Sequence, residues 1–300
     1  MNRAFSLERL RRRVGLWTMT HERQPPHLAQ AMAKEIETLG FSALWLPEAW
    51  GREAFTSSGL MLEATSSLVV ATGIANIWAR DAVSCVNATK TLNAAHTDRF
   101  LLGLGVSHRP LVERLRGHDY VTPLAAMRDY LGAMDAAPMH AFESDQRYAR
   151  VIAALGPKML ELGATRADGV HTYLVTPEHT ASARAIVGDA FIAVERALVL
   201  GCEREEYLRR AHTYLEFYTG LENYRNNWRR LGFDDEDFVR GGSERLCDAM
   251  VAHVELDGVA NVVNEHYDAG ADHVCLQVLG ADPATAPLEE WRLLAPHVVR

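Results

Sequence analysis

The feature that most constrains this chain is a repeated alternation. Eight short apolar runs recur, each separated from the next by a stretch with helical spacing. They are VGLWT (14–18), ALWLP (43–47), LVVATGI (68–74), FLLGLG (100–105), RVIAALG (150–156), VHTYLV (170–175), DAFIAVERALVL (189–200) and DHVCLQVLG (272–280). These runs are apolar on both faces, as parallel strands covered by helices must be. Between the first two, Leu28, Met32, Ile36 and Leu39 fall near one helical face, and Gly40 then supplies a stop. Asp81 is placed to cap the helix after the third run, and Thr122-Pro123 and Thr176-Pro177 read as cap and first-turn pairs. Eight β-α units running in one direction predict a single (β/α)8 barrel over 1–300. An open doubly wound sheet is disfavoured because the first βα turn carries no dinucleotide fingerprint. The segment 203–258, with YLEFYTGLENYRNNWRRLGF at its centre, reads as helices inserted between strands seven and eight. No Gly/Ser or Pro-rich linker sets it apart as a domain, and its aromatic residues are expected to pack against the barrel.

Composition removes several function classes. The net charge is −8 and no basic face stands out beyond Arg11–Arg13, so nucleic acid is not an expected partner. Those arginines read as a solvated helix end. No apolar run reaches the roughly 18 residues of a membrane span, and the basic N-terminus is not followed by the apolar stretch of a secretion signal. Cys85, Cys202, Cys247 and Cys275 form no CxxC pair, which points to a reducing cytoplasm, with Cys275 a small buried hydrophobe. The 13 histidines include no H-E-x-x-H, so no metal is expected, and the HDY at 118 and the EHY at 265 read as surface residues.

In a barrel, chemistry gathers at the C-terminal ends of the strands. Glu48 stands at the end of strand two, either as a site carboxylate or as a cap or partner of an arginine such as Arg52. Gly73, inside a β-branched run, marks a bulge or a close approach of ligand to backbone. Ser107 is not in a G-x-S-x-G elbow, which argues against a hydrolase nucleophile. His108 lies just past strand four, facing the site or standing at the surface behind it. Gly156-Pro157-Lys158 opens a helix, where backbone N–H groups and a cation could meet a phosphate, or where an ordinary capped turn stands. Trp17, Trp50 and Trp78 lie near strand ends, as pocket walls or as core.

Four segments carry a family resemblance: LGFSALWLPEAW, VVATGIANIWARDAVSCVNATKTLNAAHTDRFLLGLGVSH, ALGPKMLELGATRADGVHTYLVTP and AGADHVCLQ. Together, and in this order over nearly the whole chain, they resemble the luciferase-like monooxygenase superfamily, and within it the oxidoreductases that use the deazaflavin coenzyme F420. The resemblance implies a TIM barrel with insertions, F420 (or FMN, since the scaffold holds either ring), a small-molecule substrate and a homodimer. It places a non-prolyl cis peptide at Gly73-Ile74, beside Ala75, behind the cofactor ring. It places Val106, Ser107 and His108 on a loop lining that ring, Gly156, Pro157 and Lys158 on a second loop near the cofactor, and Glu48 at an acidic position beside the ring. Dehydrogenases of the group end strand two with Asp-His, and here the pair is Glu48-Ala49. Alanine transfers no proton, so the proton-transfer or substrate-orienting role is expected to move to His108, with Glu48 as the second catalytic candidate. An FMN-dependent monooxygenase and a catalytically silent cofactor-binding barrel are the alternatives.

Overall fold

The computed structural model describes residues 6–141, 145, 147–239 and 241–299. The first five residues of the basic N-terminus lie outside them. The strands are β1 (Val14–Trp17), β2 (Ala43–Leu46), β3 (Val69–Thr72), β4 (Ala75–Asn76), β5 (Phe100–Gly105), β6 (Arg150–Ala153), β7 (Gly169–Thr172), β8 (Phe191–Leu200), β9 (Val251–Val254) and β10 (His273–Val278). The α-helices are α1 (Pro26–Thr38), α2 (Ala54–Ala64), α3 (Ala82–Ala95), α4 (Pro123–Asp135), α5 (Pro157–Arg166), α6 (Pro177–Val187), α7 (Arg204–Thr219), α8 (Glu222–Arg230), α9 (Glu244–Met250), α10 (Val259–Asp268) and α11 (Leu288–Val298).

All pairings among the described strands are parallel. β10 closes the sheet by pairing with β1 on one edge (Val14 opposite Val274) and with β8 on the other (Ala193 opposite His273). The closed ring is therefore β1-β2-β3-β5-β6-β7-β8-β10, an eight-stranded (β/α)8 barrel. The apolar runs are apolar throughout because alternate residues serve two cores. Leu16, Leu44, Val70, Leu102, Ile152 and Val194 face the helices, while Trp17, Trp45, Ala71, Leu101, Val151 and Ala193 fill the barrel interior. Each fully buried large side chain contributes about 1.5–3 kcal/mol.

The helix signals act largely as their chemistry requires. The Asp81 carboxylate accepts from Ser84 N–H at 2.9 Å, Thr176 Oγ1 accepts from His179 N–H at 3.4 Å, and Gly40 takes a left-handed φ of 86° after α1. Thr122 makes no side-chain cap, leaving Pro123 to set the first turn of α4. Helix α2 carries no clean apolar stripe, so periodicity does not reveal it; it starts on Glu53, whose carboxylate accepts from Phe55 and Thr56 N–H.

Three expectations need correction. The 203–258 insertion is not purely helical: it ends in β9, which pairs with the far end of β8 (Leu198 opposite Ala252). Leu198 also pairs with Val278, so β9 lies on the β7 edge and continues the sheet beyond the point where β7 stops. Arg11 is not simply solvated, because its guanidinium pairs with Asp272, and Arg12 lies 4.7 Å over the Tyr267 ring. The EHY segment is a surface feature only at Glu265: His266 and Tyr267 are buried, with Thr180 Oγ1 of α6 3.0 Å from His266 Nδ1. No helix among the described residues is long and apolar enough to cross a membrane.

The insertion forms its own core. Tyr207, Leu215, Trp228, Leu246 and Met250 pack against Leu174, Ala197 and Val199 at the outgoing ends of β7 and β8. That anchoring holds α7 and α8 over one side of the barrel mouth.

Candidate active site

A cavity of about 610 Å³ opens at the C-terminal ends of the strands, bounded by Trp17, the Gly73-Ile74 turn, the 106–108 loop and the inner faces of α7 and α8. Its size is that of a small-molecule or cofactor site. The floor is built where β3 breaks. The Gly73-Ile74 peptide is cis, and the chain resumes as β4, which leaves Ala75 fully buried behind the cavity wall. Neighbouring strands hold this turn. Gly73 N–H donates to Leu46 O at 2.8 Å, Trp17 Nε1–H to Gly73 O at 3.0 Å, and Glu48 N–H to Ile74 O at 3.1 Å. Glycine is required around it by space. A Cβ at Gly73 would sit 2.7 Å from Trp17 Nε1, and one at Gly105 would sit 2.4 Å from Ile74 Cδ1.

The Glu48 carboxylate borders this floor but is committed elsewhere. Its Oε2 accepts from Asn76 N–H at 2.8 Å and from Arg80 at 2.9 Å, while Oε1 accepts from Ala54 N–H at 3.3 Å and from the other Arg80 nitrogen. The arginine is Arg80, not Arg52, which instead donates to the backbone carbonyls of His21 and Gln24. Arg80 bridges to Glu53 at 2.8 Å, tying the end of β2 to the start of α2 and the loop after β4. So arranged, Glu48 is a brace for the floor.

The loop after β5 passes under the opposite wall. Ser107 adopts a left-handed φ of 55°, with its carbonyl accepting from Tyr120 Oη at 3.2 Å, and Trp78 Nε1–H donates to Val106 O at 3.0 Å. Tyr120 thus lines the cavity although the HDY segment reads as surface, and His118 and Asp119 are exposed. Trp78 braces the loop from outside the cavity. His108 turns inward between Phe217, edge-on with ring centroids 5.9 Å apart, and Tyr224 at 5.8 Å. Burial among these rings lowers its pKa to about 4, opposed by a side-chain hydrogen bond to Asn223. At neutral pH the imidazole is uncharged: it can orient a substrate hydroxyl or carbonyl and is a poor proton donor.

On the side of β6, Gly156 lines the cavity, whereas Pro157 and Lys158 are exposed on the first turn of α5 and lie off its wall. The cation at this position is Arg230 of α8. A Cβ on Gly156 would lie 3.6 Å from its guanidinium, which bonds to Asn227 Oδ1 and has no carboxylate partner among the described residues. Trp50, 53% exposed, stands edge-on to Phe217 at 5.4 Å and forms the rim.

Sequence reasoning missed a cluster of phenols on the β7–β10 side. Tyr214 and Tyr218 project from α7 one turn apart and meet Tyr173 from the end of β7, with Gln277 of β10 beneath. The Tyr214–Tyr218 spacing of four residues was the available signal, masked by reading that segment as packing alone. Among the described residues no group of His, Cys, Asp or Glu side chains could hold a metal ion.

Residues 12–246 match the family described as luciferase-like monooxygenase. The chain belongs to the luciferase-like monooxygenase family. One relative, a Mycobacterium tuberculosis protein whose name attaches it to the coenzyme F420-dependent oxidoreductases, is 32% identical over 108 residues, 36% of this chain and 31% of that protein. Another, a 5,10-methylenetetrahydromethanopterin reductase of Methanolobus tindarius, is 26% identical over 46% of this chain and 47% of its own. The chain thus spans less than half the length of these curated relatives. An F420-dependent secondary alcohol dehydrogenase carrying an F420–acetone adduct shares the fold, with a TM-score of 0.75 at 12% identity over 96% of this chain and 98% of that one. A structure in complex with FMN shares it too: the oxygenating constituent of a Pseudomonas putida 3,6-diketocamphane monooxygenase superposes with a TM-score of 0.71 at 13% identity, covering 96% of this chain and 97% of that one.

Proposed function

We propose that this luciferase-like barrel is an oxidoreductase that moves a hydride between coenzyme F420 and a small organic substrate. The observation that carries the reading is the cavity: a backbone floor at Gly73-Ile74, aromatic walls, and a cation without a carboxylate partner, Arg230, beside Gly156. A flat ring with an anionic, phosphate-bearing tail has this shape and charge, and the residues present fit it. Bound there, the deazaflavin would supply the ring carbon that gives or accepts the hydride. Gly73, Ile74 and Val106 would support the ring, Arg230 would hold the tail, and His108 would orient the substrate from the opposite wall. Trp17, which holds the Gly73 carbonyl, and the Glu48–Arg80 pair keep that floor in place.

The names of one relative and of one fold neighbour favour F420, and the FMN-bound fold neighbour supports FMN as the second reading. Side-by-side titrations with F420 and FMN, followed by fluorescence, separate the two. The expected result is tight F420 binding, weak FMN binding, and at least a tenfold weaker F420 complex in Arg230→Gln. Binding of neither ring overturns the reading, and preference for FMN turns it toward a monooxygenase.

A further inference from the structure

β8 carries a carboxyl group that none of the roles above uses. Glu195 faces the barrel interior, where its side chain is fully buried. Its Oε2 accepts from Leu174 N–H at 3.1 Å, while Oε1 has no hydrogen-bond partner among the described residues. The Tyr214 hydroxyl lies near the carboxyl but is hydrogen-bonded to Tyr173 and Gln277, not to Glu195, in this structure. From Tyr214 a chain of short contacts leads outward: Tyr214 Oη to Tyr173 Oη at 2.8 Å, Tyr173 Oη to Tyr218 Oη at 3.0 Å, and both Tyr173 and Tyr214 to Gln277 Oε1, at 2.8 and 3.0 Å. Tyr173, Tyr214 and Tyr218 all border the cavity.

Proton counting sets this cluster apart from ordinary packing. Tyr173, Tyr214 and Gln277 Oε1 form a triangle with three short edges, but the two phenols carry one proton each and the carbonyl oxygen carries none. One edge is always unfilled, and rotating a hydroxyl moves the unfilled edge. That degeneracy is what a proton relay needs.

We propose that Glu195, acting through Tyr214 and Tyr173, is the proton source for the substrate in this cavity, and that the substrate bears a polarised double bond such as a carbonyl or a conjugated C=C or C=N. The proposal rests on the hydride-transfer reading. In the reductive direction, a bound reduced deazaflavin would supply the hydride, and the π electrons of the substrate's double bond would move to the more electronegative end. Tyr173 gives that end a proton, Tyr214 reprotonates Tyr173, and Glu195 reprotonates Tyr214. The carboxylate left behind regains its proton from solvent along the same route after product leaves. The substrate gains one hydride and one proton, the carrier loses the two electrons, and the protein ends unchanged. Glu195 and Tyr214 act through Tyr173, the member of this relay that meets the substrate.

The surroundings suit a carboxyl held in its acid form. Tyr173, Tyr214, Tyr218, Tyr224 and Cys275 face it, all uncharged near neutral pH. Its one charged neighbour, Arg196, is next in sequence but points to the other face of β8, donating to Ala249 and Met250 carbonyls. Burial pushes the Glu195 pKa up to about 8, opposed mainly by the Leu174 N–H. A neutral acid poised near the working pH is the condition for general acid catalysis.

Two experiments test this on the full chain. Infrared spectra of the cofactor-free protein should show a protonated carboxyl band at pH 7 that fades toward pH 9, is absent in Glu195→Gln, and shifts in Tyr214→Phe. Absence of the band, or its indifference to Tyr214→Phe, overturns the proposal. The second experiment follows oxidation of reduced F420 across a panel of carbonyl and enone substrates. Tyr173→Phe and Tyr214→Phe should lower kcat about 100-fold or more and change the solvent isotope effect, with F420 affinity within threefold of wild type. Glu195→Gln should also remove the alkaline limb of the pH profile. Wild-type rates in both Phe variants, with F420 still bound, overturn this proposal alone. Failure of the wild-type chain to bind F420 overturns the hydride-transfer reading and this proposal with it. Tyr214→Phe deletes one oxygen from a half-buried ring, so it keeps the test open if Glu195→Gln fails to fold.

Discussion

Glu48 shows how the same residue type at a strand end can serve architecture or chemistry, and how partners decide between them. Its side chain and that of Arg80 are 4% and 10% exposed, and four donors converge on its two oxygens. Removing one member of a buried pair leaves an uncompensated charge, at a cost of about 3–5 kcal/mol. Arg80→Leu is therefore expected to destabilise the chain by that amount in urea unfolding, and to loosen α2 through the lost Glu53 bridge. Gly103 makes a separate residue-scale case. A Cβ there would lie 2.0 Å from the Thr72 carbonyl oxygen, which belongs to backbone and cannot swing aside. Gly103→Ala must push β3 and β5 apart and is expected to cost about 1–3 kcal/mol or more, read as a lowered denaturant midpoint.

At the scale of elements, the legible parts were those with strong periodicity or decisive end signals. The eight barrel strands were visible because each serves two apolar environments, and α1, α3 and α6 were visible because Gly40, Asp81 and Thr176 punctuate them. Helix α2 was not, since AFTSSGLMLEA is buried over too much of its surface to show a stripe. β9 was hidden because VAHV is a short edge addition following a helix without a turn signal. At the site, Gly73, Ile74, Val106, Ser107, His108 and Gly156 border the cavity, while Ala75, Pro157 and Lys158 do not. Of the residues missed, Arg230, Tyr214 and Tyr218 come from the insertion, whose placement depends on tertiary packing that no local pattern encodes, and Tyr173 is hidden in the apolar run of β7. Trp228 is central to that packing: it is fully buried and donates to Leu174 O at 3.2 Å. Trp228→Phe should cost about 1 kcal/mol for the lost hydrogen bond, and Trp228→Ala about 3–5 kcal/mol. Limited proteolysis of the Ala variant should cut first within 203–250 while the barrel fragment survives; simultaneous loss of both would show that insertion and barrel unfold together.

The whole molecule carries an uneven set of buried titratable groups, and their signs predict its stability against pH. Burial holds His21, His108, His171 and His273 at pKa values of about 4 and His266 at about 3, where ordinary histidine lies at 6.5. Below pH 6.5 the unfolded chain binds protons at these sites and the folded chain does not, so stability falls as pH drops from 6.5 toward 4. Glu195 acts in the opposite sense. Its carboxyl stays protonated in the fold up to about pH 8 but ionises above 4.5 when unfolded, so its burial costs more as pH rises between those values. From pH 4.5 to 6.5, five histidines outweigh one carboxyl, and stability rises with pH. At pH 6.5 the unfolded histidines are still half protonated, so the balance turns only a little above pH 7, where the carboxyl pulls stability down with a net slope below its limit of about 1.4 kcal/mol per pH unit. The thermal midpoint should therefore peak near pH 7, with a steep acid side and a shallower alkaline side. Glu195→Gln should flatten the alkaline side while leaving the acid side steep. A midpoint that declines equally in both proteins between about pH 7 and 8 would show that Glu195 is ionised in the fold, and would remove the acid from the base of the tyrosine relay.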